Sequence, residues 1–182
     1  MVFELISARI AAPIVGSSVF TWTAVIGTTL LGLSVGSIVG GIIIDKFKSA
    51  RVLSCALALS SFLVFMVPFI ADFARFFTKL DISIFWMVLL ISFYLFLFPS
   101  FAIGLLQPMI LKLYADDFLK IGKEYGLLSA VWSAGSILGV FMTGFYFIST
   151  IGSSFTLHVV SALLGALGVY FFLHSKSETR PL

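Results

Sequence analysis

The sequence predicts an all-α integral membrane protein of about six transmembrane helices, the first of them short. Two ratios and a length carry this expectation. Hydrophobic residues fill 60% of the 182 positions and charged residues only 10%, against roughly 45–50% and about 25% in a soluble domain. Mean hydropathy is +1.18, and 11 Lys and Arg with 8 Asp and Glu are too few to solvate the surface of a soluble fold. At about 20 residues per crossing, with a connection after each, the length holds about six helices.

Taken in order, residues 1–14 are too few to cross a bilayer as a helix, and Pro13 with Gly16-Ser17-Ser18 is expected to end that segment. It is either a half-helix or a first helix lacking its beginning. The next span, 19–44, has no charge and stops at Asp45-Lys46-Phe47-Lys48-Ser49-Ala50-Arg51. The third, 52–71, contains Pro68, and the aromatic, mixed-charge run from Asp72 to Asp81 reads as a short interfacial helix. The fourth, 82–106, carries Pro99, which removes a backbone donor and is expected to bend it, with Pro108 just beyond its end. A polar connection from Lys112 to Tyr125 follows. Spans 126–150 and 155–173 complete the set, joined by Ile151-Gly152-Ser153-Ser154.

Charges sort by loop. Lys46, Lys48, Arg51, Lys112, Lys120, Lys123, Lys176 and Arg180 fall on one side, against Arg75 and Lys79 on the other. The positive-inside rule then predicts a multi-pass protein of a cell (inner or plasma) membrane with both termini cytoplasmic. That requires an even number of crossings, so the short first segment counts as one or the N-terminus lies outside. The net charge of +3 punctuates apolar runs and gathers on no single face, so nucleic acid is not an expected partner; membrane lipid is. Met1 to Pro13 lacks the basic start of a cleavable signal peptide. Cys55 is a lone thiol expected to be buried or to face the cytosol. His158 and His174 have no ligand-spaced companions, so no metal is expected, and no nucleotide-binding, metalloprotease or hydrolase motif is present.

Small residues recur at four-residue spacing: Gly32, Gly36 and Gly40; Gly135, Gly139 and Thr143; Ser161 and Gly165. Such stripes let helix backbones approach closely in lipid, the alternative being a substrate path beside them. Glu4 and Arg9 are charges at expected membrane depth, where ionisable groups line sites or snorkel to the surface. They are the candidate substrate-binding residues, although about 140° apart around a helix. Asp116 and Asp117 with Lys112, Lys120, Lys123 and Glu124 read as a solvated, salt-bridged face.

Gly40-Gly41-Ile42-Ile43-Ile44-Asp45-Lys46-Phe47, followed by Arg51, resembles the loop after the second helix of major facilitator transporters. Two further stretches resemble the membrane domain of fused major facilitator/spermidine synthases. The first runs from Glu4-Leu5-Ile6-Ser7-Ala8-Arg9 through Ala12-Pro13, Gly16-Ser17-Ser18, Thr21-Trp22-Thr23 and Val25-Ile26-Gly27. The second runs from Asp117 to Gly122 and Gly126, then Ser133-Ala134-Gly135-Ser136-Ile137-Leu138-Gly139 and Thr143-Gly144-Phe145. The resemblance covers most of the chain. It implies one half of a major facilitator-like transporter for a small, polyamine-like cation, working with itself or a second membrane chain, with no cofactor of its own. The family's aminopropyltransferase domain has no counterpart after Leu173, so no enzyme activity is carried over. Two alternatives stay open. The chain could anchor a separately encoded synthase-like enzyme through the Lys112 to Glu124 stretch and the tail, or be a piece of a longer fused protein.

Overall fold

A computed structural model describes residues 1–74, 83–114 and 121–174, without the side chains of Ile121 and Lys123. Among these residues the chain is entirely helical: α1 (Val2–Val15), α2 (Val19–Phe47), α3 (Ala50–Ala74), α4 (Ile84–Tyr114), α5 (Ile121–Phe141), a π-helical stretch (Met142–Phe147), α6 (Ile148–Thr150) and α7 (Ser153–His174). Five of the described segments are long and apolar enough to cross a membrane, the stretch Glu124–Thr150 counting as one. Their outward surface carries Phe20, Ile38, Phe62, Phe98, Leu138 and Phe145. An exposed apolar surface of this extent belongs against lipid. The chain is a multi-pass helical membrane protein.

α1 has 14 residues, about 21 Å of helix against about 30 Å of hydrocarbon. Pro13 does not end it; the helix runs to Val15 and closes on Gly16, at φ 86, whose N–H donates to the Ala12 carbonyl. Glycine takes that backbone conformation without a Cβ clash. Ser18 then caps α2 by accepting from the Thr21 N–H, while the Thr21 hydroxyl donates to the Gly16 carbonyl at 2.8 Å. α1 is short but central, touching α2, α3, α4, α5 and α7. Phe3, Ile6, Ala8, Ala11 and Val15 place it in the larger of two hydrophobic clusters.

α2 and α4 form the tightest seam. A Cβ on Gly32 would lie 2.7 Å from Ser100 Cβ, one on Gly40 2.6 Å from the Leu105 carbonyl oxygen, and one on Gly36 would overlap the Phe101 carbonyl. From the other side, a Cβ on Gly104 would lie 2.5 Å from the Leu33 carbonyl. The Ser37 hydroxyl crosses the seam to the Gly104 carbonyl at 3.3 Å. The expected span 82–106 is too short: α4 continues through Pro108 to Tyr114, holding Met109 in the second cluster with Ile44, Leu53 and Leu57. Lys112 is therefore helical and not part of a connection.

The α3–α7 seam is built on serines. The Ser61 hydroxyl donates to the Ser161 carbonyl at 2.8 Å, and the Ser161 hydroxyl to the Ser61 carbonyl at 2.9 Å. Gly165 leaves the room, since a Cβ there would sit 3.0 Å from Ser61 Oγ. Cys55 on α3 is exposed, correcting one half of its expected placement. α3 continues through Asp72 to Ala74, so the expected interfacial run starts inside this helix; residues 75–82 lie outside the described residues.

Candidate functional site

Glu4 has a side chain 17% exposed, its Oε2 3.8 Å from the ammonium of Met1. Arg9, on the same helix, is exposed. The helical spacing that separates them in sequence keeps them apart in space, so the two candidates do not make one site. Glu4 alone enters the bundle, on the helix that every long helix touches.

The loop-like residues Gly41, Asp45 and Arg51 gather at the end where α2 hands over to α3. Asp45 Oδ1 pairs with Lys112 Nζ at 2.9 Å, joining the ends of α2 and α4. Gly41 makes ordinary contact with Pro108, and Arg51 is exposed.

The stripe on α5 behaves differently from that on α2. Gly135 faces open space, Gly139 faces only the Val2 side chain, and Gly144 only Leu5. Thr143 is buried, inside a π-helical stretch that the spacing did not announce. Among the described residues no backbone lies against Gly135, Gly139 or Gly144, and α5 makes few contacts with α1 and α4.

A half-open groove of about 230 Å³ lies between α2, α4 and α5, lined by Ser37, Gln107, Tyr125, Leu128, Ser129 and Trp132 among others. Next to it on α5 stands Glu124, whose Oε2 is buried with no hydrogen-bond partner. The solvated-face expectation for Glu124 is thereby corrected: the residue belongs to the first turn of α5 and is half-buried, one carboxylate oxygen being shielded from solvent. Asp116, Asp117, Lys120, Lys176 and Arg180 lie outside the described residues, as does the Lys123 side chain.

Elsewhere, the His158 ring packs against Phe65 and Phe69 of α3, with centroids 4.9 and 5.9 Å away, and its Nε2 is buried without a partner. His174 lies over Tyr170. Among the described residues no three His, Cys, Asp or Glu side chains gather where a metal could be held. Compared with models of protein families, with characterised proteins and with solved structures, the chain matches none.

Proposed function

We propose that this chain is a six-helix membrane domain, equivalent to one half of a major facilitator-like transporter, that moves a small organic cation of polyamine type across a cell membrane. In this reading α1 completes the sixth crossing, both termini face the cytoplasm, and the chain performs no covalent chemistry. A second copy or a second membrane chain supplies the other half.

The observation that carries the reading is Glu4. A half-buried carboxylate on a helix that touches every long helix, with the Met1 ammonium 3.8 Å away, holds a charge where ionisable groups commonly mark substrate paths. The same group would give a translocated ammonium its counter-charge. The thinly covered surface of α5, with Gly135 in open space, supports the second half of the reading, since transporter sites form between repeats.

The test is uptake of radiolabelled spermidine into proteoliposomes, with the oligomeric state read in nanodiscs. Saturable uptake that Glu4→Gln abolishes, from a particle holding two membrane domains, is the expected result. A monomer that takes up spermidine no faster than empty vesicles would refute the reading.

A further inference from the structure

We propose that the groove where α3 begins and α4 and α7 finish binds one phospholipid with an anionic headgroup, its acyl chain on the apolar floor and its phosphate at a tyrosine rim. α3 packs against α4 on one side and α7 on the other, and a half-open space of about 400 Å³ remains between them. Leu53, Ile110 and Leu113 line it as buried or half-buried apolar floor, and Tyr114, Tyr170 and His174 line it as exposed residues. Tyr114 ends α4 and His174 ends α7, so the rim lies at the edge of the bundle.

Depth selects a lipid. α4 has 31 residues, about 46 Å of helix against about 30 Å of hydrocarbon. Tyr114 therefore reaches the headgroup level, while Ile110, about 6 Å back along the axis, stays nearer the acyl chains. Tyrosine favours that boundary, its ring in the apolar layer and its hydroxyl among the headgroups. An unfilled apolar groove at this depth forfeits dispersion contacts along its walls, and water would find few polar partners on the floor. An acyl chain supplies those contacts. Above it, the tyrosine hydroxyls can donate to phosphate oxygens. The His174 ring lies over Tyr170, centroids 4.3 Å apart, with Nδ1 3.2 Å from the Tyr170 carbonyl, so the two rings form one wall.

Charge selects the headgroup. Lys46 lies in the last turn of α2, Lys48 caps that helix, Arg51 follows Ala50 at the start of α3, and Lys112 pairs with Asp45. Among the described residues this end of the bundle is thus positive. None of these bases lines the groove; they act through the field at the membrane surface, which draws anionic lipid over a Debye length of about 8 Å.

The experiment is fluorescence quenching in phosphatidylcholine vesicles, with Phe171→Trp as the reporter in the groove lining and Trp22→Phe, Trp86→Phe and Trp132→Phe removing the native indoles. Phosphatidylglycerol or phosphatidylcholine, brominated near the glycerol end of the chain, is added at rising mole fraction. Saturable quenching is expected, half-complete at about fivefold lower mole fraction for phosphatidylglycerol, the factor that one basic residue near the surface gives. A second reporter, Leu163→Trp, exposed on α7 and outside the groove lining, is expected to show no preference. Tyr114→Phe with Tyr170→Phe is expected to weaken the saturable quenching about fivefold. The same preference at positions 171 and 163, or none at either, overturns the proposal, as does unchanged quenching in the tyrosine variant. A reporter that neither lipid quenches, or that is quenched only once residues 175–182 are removed, would show protein covering the groove and also overturns it. Should Phe171→Trp fail to fold, Leu113→Trp reports from the α4 wall. The readout needs no transport, so it can stand where the uptake assay fails, and the reverse.

Discussion

α4 and the α5 stretch are both long and apolar, with hydropathies of 2.2 and 1.5, yet 56% of the most apolar window of α4 is buried and only 6% of that in Glu124–Thr150. Hydropathy therefore places both in a membrane and says nothing of which is a core helix. What separates them is the helix opposite. α4 faces Gly32, Gly36 and Gly40, whose missing side chains let its carbonyls come within contact of the α2 backbone. α5 carries glycines of its own, but among the described residues Gly135 meets open space and Gly139 only the Val2 side chain. In lipid the gain from helix association is van der Waals packing and hydrogen bonding rather than the burial of apolar area, so the small-residue stripe matters only where a second backbone lies against it.

The comparison is broken most severely by Gly36→Val. The added carbons would overlap the Phe101 carbonyl, a backbone atom that cannot move without shifting α4. A loss of about 3 kcal/mol is expected, read as the midpoint of denaturant unfolding in mixed micelles. Gly135→Val, in open space on α5, is expected to stay within about 0.5 kcal/mol in the same assay. Equal losses at the two positions would show that the two stripes are equivalent after all.

The α3–α7 seam sits between these extremes, since its reciprocal bonds join two serines 100 positions apart. A double-mutant cycle of Ser61→Ala and Ser161→Ala is expected to give a coupling of about 0.6–1.7 kcal/mol. Strict additivity would mean that close packing at Gly165, and not the exchanged hydroxyl bonds, holds the seam. The smallest effect belongs to Asp45→Asn. The Lys112 and Asp45 side chains are 37% and 64% exposed, so removing the pair costs about 0–1 kcal/mol. The difference should vanish as salt is raised from low ionic strength to about 1 M, where charges are screened within about 3 Å.

Several features were legible in the chain because they are local. The Gly32, Gly36 and Gly40 stripe follows from four-residue spacing, and the turn at Gly16-Ser17-Ser18 from glycine and hydroxyl chemistry. The end of α4 differs from the expected one for a local reason too. Proline is a helix breaker by propensity, but Pro108 is retained inside α4, where Met109 beyond it packs with Ile44 and Leu53. Tertiary burial outweighs propensity there. The π-helical stretch at Met142–Phe147 had no spacing signal. The i, i+4 spacing of Glu124 with nearby lysines predicts a solvated partner, as such pairs are common on free surfaces; the shielding of its Oε2 depends on α5 beginning before it.

The sequence by itself determined that this protein is a helical, multi-pass membrane protein, because span length and hydropathy are properties of contiguous residues and lipid requires every backbone polar group to be satisfied within its own helix. Only the tertiary structure decided which glycines meet a backbone, which serines exchange hydrogen bonds, and that α1, the shortest of the packed helices, stands at the centre. Those outcomes depend on surfaces brought together from distant parts of the chain. Close packing in lipid is a matter of shape between two helices, and no single stretch of sequence contains both of them.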